Sequence, residues 1–151
     1  GWLRFTVRAL LQRVSQASVS VAGETVGAIG PGMLVLLGLD RRDDRAVAER
    51  MIDKLLGWRM FADSEGRMNS SVVDTGGGIL LVSQFTLSAD TRKGLRPSFS
   101  SAMPPGEAKA LYDDLLATLQ ARHAPVAAGR FGADMQVTLV NDGPVTFLLE
   151  L

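Results

Sequence analysis

The chain has no cysteine, one histidine, few aromatics, no net charge and no long apolar run, and each lack removes a class of function. Without cysteine there can be no disulfide, thiolate nucleophile or Cys-based zinc site, and a reducing, cytoplasmic setting is expected. Sixteen basic residues cancel sixteen acidic ones. No global field therefore draws the chain to a duplex or an anionic membrane, although a local patch can still grip a few nucleotides. The longest apolar stretches, Met33 to Leu39 and Ile79 to Val82, have strand length and fall far short of a bilayer span. The lone histidine, His123, falls in the last turn of an expected helix, where the helix dipole accounts for it. A Ser-His-Asp triad thus has no base to use. No Gly-x-Ser-x-Gly elbow occurs, and no carboxylate or histidine cluster has metal-ligand spacing.

What is present describes one domain. A chain of 151 residues buries roughly 70% of its unfolded surface. Gly1 to Thr6 carry no signal-peptide core and read as an extension, with a single domain over residues 7–151. Arg8 to Val14 and Ala17 to Ala22 predict two strands, and Thr25 to Ile29 a third. Met33 to Leu39 suits a strand buried on both faces. Asp40 to Asp44 opens a helix with acidic residues in its first turn. Val47, Met51, Leu55 and Trp58 make its core stripe. Asp63-Ser64-Glu65-Gly66 begins like a calcium loop but lacks the ligand spacing and reads as a hairpin turn. Gly76-Gly77-Gly78 has no phosphate-loop continuation and launches a strand over Ile79 to Leu87. In that strand Ser83 and Phe85 share one face, Gln84 and Thr86 the other. Ser88 to Met103 is a polar loop whose Arg92, Lys93 and Arg96 form a small cationic rim. Pro104-Pro105-Gly106-Glu107 starts a second helix, with Ala108, Leu111, Leu115 and Leu119 as its stripe. The chain ends in a strand-turn-strand unit around Asn141-Asp142-Gly143-Pro144. Pro144 cannot donate to a ladder, and Gly-Pro bonds are candidates for the cis form. Strands, helix, strands, helix, strands predicts an α+β domain with a mainly antiparallel or mixed, curled, barrel-like sheet and two main helices.

Two motifs carry chemistry. Ser83-Gln84-Phe85-Thr86-Leu87, continuing through Arg92-Lys93-Gly94-Leu95-Arg96-Pro97-Ser98-Phe99, resembles the first signature of the D-aminoacyl-tRNA deacylases. Asn141-Asp142-Gly143-Pro144-Val145-Thr146 resembles their second. The similarity runs from about Val7 to Leu151 and includes Gly129-Arg130-Phe131-Gly132-Ala133-Asp134-Met135.

The resemblance implies the fold of that family and hydrolysis of the ester joining a D-amino acid to the 3′-terminal adenosine of tRNA. It implies neither cofactor nor metal. Catalysis would fall to Ser83, Gln84, Phe85 and Thr86, and substrate binding to Phe131, Ala133, Met135, Asn141, Gly143, Pro144, Arg96 and Ser98. It further implies a cis Gly143-Pro144 bond, inserted into the partner subunit's site of a homodimer, that rejects L-aminoacyl-tRNA and partly accepts glycyl-tRNA. The residue inventory is compatible with this activity, because an aminoacyl ester beside a ribose hydroxyl is already labile. Thr86 has no evident base, which favours a positioning role over that of nucleophile. Two other readings stay open on residues alone: a noncatalytic module that binds the tRNA acceptor end, and a small-molecule esterase or amidase.

Overall fold

The computed structural model describes residues 7–151; the expected extension at 1–6 lies outside the described residues. The sheet is built around β1 (Arg8–Val21). One edge of β1 pairs antiparallel with β8 (Gln136–Glu150). The other edge is shared: its first half pairs with β3 (Gly32–Gly38) and its second with β2 (Glu24–Ile29), both antiparallel. Beyond β3 lie β6 (Gly78–Ser83) and then β7 (Val126–Ala128), both in parallel register. β2 leans back toward β7, so the sheet is nearly closed into a barrel. At the seam, a Cβ on Gly27 would stand 2.6 Å from the Ala128 carbonyl oxygen. A small hairpin of β4 (Phe61–Ala62) and β5 (Met68–Ser70) lies apart from this sheet. Its Asp63 carboxylate accepts from the N–H groups of Glu65 and Arg67.

The curled sheet separates two apolar clusters. Inside it lie Val14, Ala17, Val19, Leu34, Leu80 and Val82. Outside it, Ala9, Leu11, Val35, Leu37, Ile79 and Leu81 pack with the helices. β3 and β6 alternate between the two clusters and are buried on both faces, as an uninterrupted apolar run requires. α1 (Arg45–Gly57) is capped by Asp44, whose carboxylate accepts from Val47 N–H at 3.0 Å. It buries Ala48, Met51, Ile52, Leu55 and Leu56. α3 (Pro105–Arg122) buries Ala108, Tyr112, Leu115 and Leu119.

The α+β mixed, curled sheet follows the sequence reading, with five differences. The two expected N-terminal strands are one. Ser15 has no partner on β8, between the pairs Val14–Asn141 and Gln16–Val140, and this bulge shifts the alternation that had suggested a break. The expected C-terminal hairpin is also one strand, because both of its halves pair with β1 in the same direction. The strand expected to reach Leu87 stops at Ser83 and becomes a one-turn 3-10 helix, Phe85–Ser88. In the α1 region no acidic residue occupies the first turn: Asp44 caps the helix, and Trp58 lies beyond its end. A short helix not foreseen, α2 (Val72–Thr75), is closed by a capping box between Ser71 and Asp74, the pattern that could have announced it.

Between β3 and α1, Asp43 accepts from Asp40 N–H at 2.6 Å. Burial pushes the Asp43 carboxyl up to about 6 from 3.8, against hydrogen bonding from Asp40 N–H and with the Asp40 charge adding to the rise. The folded pKa lies above the unfolded one, so the unfolded chain releases this proton first. Stability therefore falls as pH rises between these two values. Asp43→Asn keeps an acceptor for Asp40 N–H. It is expected to leave the melting temperature near pH 4 almost unchanged and to raise it at pH 7, which thermal melts at the two pH values will show.

Candidate active site

The end of β6 is held in place by its parallel neighbour. Gln84 N–H donates to the Leu37 carbonyl at 2.7 Å, the last rung before the chain turns into the 3-10 helix. The following loop is folded back over the end of β3. Ser88 Oγ donates to the Leu39 carbonyl at 3.3 Å, Ser101 Oγ to the Ser88 carbonyl at 2.9 Å, and Met103 N–H to the Leu39 carbonyl at 3.1 Å. The result is a cavity of about 750 Å³, within the usual range for small-ligand sites. Its walls are the ends of β3 and β6, the first turns of α3 and the segment leading into β8.

Ser83, Gln84, Phe85, Phe131, Ala133 and Met135 all line this cavity, although 46 or more positions separate the first three from the rest of this set in the sequence. Thr86 faces the other way, into a second cavity, while its hydroxyl accepts from Gln84 Nε2. The side chain at the cavity thus orients the one outside it. The N–H groups of Phe85 and Thr86 open the 3-10 helix and have no acceptor among the described residues. Two adjacent unspent donors at a turn are the elements of an oxyanion hole.

Gly143, Pro144 and Asn141 are elsewhere. Gln12 pairs with Thr146 and Val14 with Asn141, so Asp142, Gly143, Pro144 and Val145 face Arg13 alone and bulge out of the ladder. The Gly143-Pro144 bond is cis, and Gly143 has φ +134. A Cβ there would meet Val145 Cγ2 at 2.7 Å and Arg13 Nη2 at 3.0 Å. Asn141 closes the base of the bulge: its Oδ1 accepts from Val145 N–H at 3.0 Å, and its Nδ2 donates to Thr146 Oγ1 at 2.9 Å. Arg13 braces it from beneath, donating to the carbonyls of Asp142 at 3.0 Å and Met60 at 3.1 Å. Asp142, Gly143 and Pro144 are exposed, and neither Gly143 nor Pro144 lines the chain's own cavity. Arg96 and Ser98 lie on the exposed loop and not in the cavity either. Ser98 bridges to Asp90 through its backbone.

Sequence reasoning missed Tyr112, Phe99 and Arg13. The pattern had put Leu111 on the buried stripe, but Tyr112 is the residue that is 2% exposed, and its ring lies 5.7 Å from that of Phe131. The Phe99 ring lies 5.2 Å from that of Phe85, tilted by 51°, at the cavity rim. A lone tyrosine on a helix stripe was the available signal.

The electrostatics of the cavity are distinctive for what they omit. Among the described residues its lining contains no Asp, Glu, His, Lys or Arg. Tyr112 is the single ionisable group among them. Burial, with the charge of Asp113 adding, pushes the Tyr112 hydroxyl up to about 12, and the hydroxyl donates to the Leu81 carbonyl at 3.1 Å. None of the described side chains in the cavity can act as a general base near neutral pH. Whatever reaction occurs there must use fixed dipoles and groups brought by the substrate.

A sequence-family model described as D-Tyr-tRNA(Tyr) deacylase matches residues 10–150. A D-aminoacyl-tRNA deacylase of Azotobacter vinelandii is 64% identical over 144 residues, covering 95% of this chain and 99% of that protein. A solved structure described as c-Myc DNA Unwinding Element Binding Protein superposes with a TM-score of 0.92 at 44% identity, covering 95% of this chain and 98% of that one. Another, described as a probable eukaryotic D-amino acid tRNA deacylase, has a TM-score of 0.86 over 97% of this chain and 100% of that one. At 19% identity it shows the shared fold alone.

Tyr112→Phe separates a wall from an acid or base. Leu81 keeps a second donor, the Gly129 N–H at 3.0 Å, so the lost hydrogen bond should cost about 1 kcal/mol or less. Chemical denaturation is expected to show that small loss, and the pH–rate profile of the variant should overlay that of the parent.

Proposed function

The chain belongs to the D-aminoacyl-tRNA deacylase family, and on that premise we propose that it hydrolyses the ester between a D-amino acid and the 3′-terminal adenosine of tRNA, releasing free D-amino acid and tRNA. The observation that carries this reading is the neutral cavity with two unspent N–H groups at its rim. A mildly activated ester needs orientation and stabilisation of one negative oxygen, and such a site offers both. Water adds to the ester carbonyl, the carbonyl oxygen takes the negative charge toward the N–H groups of Phe85 and Thr86, and the bond to the ribose 3′-oxygen breaks. That oxygen leaves with the proton from water, the neighbouring 2′-hydroxyl relaying it. Each N–H is worth about 3 kcal/mol to such a transition state. Phe131, Ala133 and Met135 supply the apolar wall for the adenosine, and Ser83 and Gln84 the polar one. Arg96 and Ser98 approach the tRNA from the loop.

In this reading Thr86 positions rather than attacks. With Gln84 donating to its oxygen, the hydroxyl keeps its own proton to give, and the cavity offers no base to remove it. No metal or cofactor takes part.

The bulge at Asp142 to Val145 supports a gate acting between subunits. It is exposed and rigidly braced, and Gly143 and Pro144 are not in their own chain's cavity. In an isologous homodimer each protomer can present Gly143-Pro144 to its partner's cavity. Backbone atoms there cannot swing aside as a rotamer can, so an L side chain collides while a D side chain points to open space. Glycine carries only hydrogens on its α-carbon, so glycyl-tRNA is partly accepted. Side-chain identity then matters little. Such a substrate places the protein in the cytoplasm; among the described residues no helix is long and apolar enough to cross a membrane.

Three outcomes test this. With EDTA present, tyrosine should be released from D-tyrosyl-tRNA and not from L-tyrosyl-tRNA. Equal turnover would overturn the gate, and binding without hydrolysis would favour a noncatalytic acceptor-end binder. Thr86→Ala should lower kcat by roughly ten- to a hundredfold with KM nearly unchanged; complete loss would favour a covalent route. Deleting Asp142, Gly143 and Pro144 together restores regular pairing between β1 and β8, so the fold should persist while the ratio of D to L turnover falls toward one.

A further inference from the structure

A second cavity, of about 670 Å³, adjoins the first, and apart from Thr86 its lining has no part in the chemistry above. Arg8, Arg41 and Arg92 line it, together with Thr86 and Ser100. Each guanidinium is anchored by part of its donor fork. Arg8 donates to Glu150 at 3.1 Å and to the Leu87 carbonyl at 2.9 Å. Arg92 holds Asp90 through two bonds of 3.0 Å, and Arg41 donates to the Ser100 carbonyl. The remaining N–H groups of these three side chains have no partner among the described residues. The carboxylates of Asp90 and Glu150 are already engaged by Arg92 and Arg8. Arg92 beside Asp90 holds that carboxyl down at about 2. Three pre-oriented guanidiniums against two neutralised carboxylates favour an anion with several acceptor oxygens.

The wall between the cavities has two faces. Phe85 and Phe99 face the first, and their sequence neighbours Thr86 and Ser100 face the second. Phe85 is 66% exposed, a large apolar area for a soluble surface and a platform on which a nucleobase can stack. We propose that the second cavity holds the phosphodiesters just ahead of the terminal adenosine in the unpaired 3′ end of tRNA. The strand crosses between the cavities over the Phe85–Phe99 ridge, and the penultimate base stacks there. This rests on the deacylase reading and adds to it a phosphate subsite that would distinguish a tRNA end from a bare aminoacyl nucleoside.

The test compares two substrates, D-tyrosyl-tRNA and 3′-O-(D-tyrosyl)-adenosine, which has the ester but no phosphate. For Arg41→Gln the ratio of the two kcat/KM values should fall about tenfold in favour of the small ester. The slope of log KM for the tRNA against log salt should shrink by about 0.7, the value for one phosphate contact on a single strand. Phe99→Leu should lower the same ratio, and Phe99→Tyr should restore it. An unchanged ratio in Arg41→Gln and Phe99→Leu would overturn the proposal. So would an equal fall on both substrates, which would reduce Arg41 to a brace for the Ser100 carbonyl. If the parent hydrolyses neither substrate, the deacylase reading itself fails and this one fails with it.

Discussion

β1 has two edges and three partners. β8 occupies the whole of one edge, while β3 and β2 divide the other between them. A strand shared in this way cannot lie in a flat sheet. Where β3 ends and β2 takes over, the sheet must turn, and the twist natural to strands carries β2 round until Gly27 meets the backbone of Ala128. The enclosed apolar cluster, the outer cluster under the helices and the near closure of the barrel all depend on that division. So does the site. β3 and β6 run parallel from Gly32 to Leu37, and the last rung sets where Gln84 leaves the sheet.

The cavity unites three segments that the chain keeps apart, and it is chemically quiet. Among the described residues its one ionisable group is Tyr112, which is tied to a carbonyl. The charged residues that do gather nearby lie across the Phe85–Phe99 ridge, where guanidiniums and carboxylates hold one another in place. The proposed division of labour is consistent with this: neutral surface to orient an ester, cations to hold a charged strand. Desolvating a carboxylate inside the first cavity would be costly, and an ester that is already labile does not require one.

Much of this was legible in the sequence, and the failures have physical reasons. The buried runs at Met33 and Ile79 announce two-faced strands, and Ser83 to Phe85 do sit at a strand end. What propensity could not show is where β6 stops. Phe85, Thr86 and Leu87 all suit strands, and only the loss of a partner beyond Leu37 ends the ladder. The terminal unit misled for a related reason. Asn-Asp-Gly-Pro is turn chemistry, and the chain does leave the ladder there. Whether it reverses or rejoins the same partner is decided by β1, more than a hundred residues away. Asn141 reads differently once the bulge is seen, since its amide fills the place of the lost ladder bonds. Tyr112 was hidden behind Leu111 because one position on a helix stripe turns the side chain by only about 100°.

The ladder between β1 and β8 also bears on how the molecule comes into being. Arg8 pairs with Glu150, and every rung joins residues from opposite ends of the described chain. Such contacts cannot form until residues 136–150 have followed β1, and a topology dominated by distant pairings is acquired slowly. While the chain is being synthesised, β1 must wait with one edge unpaired. A protein that acts on aminoacyl-tRNA thus closes this ladder only after the ribosome has spent aminoacyl-tRNA on the more than one hundred residues between β1 and β8.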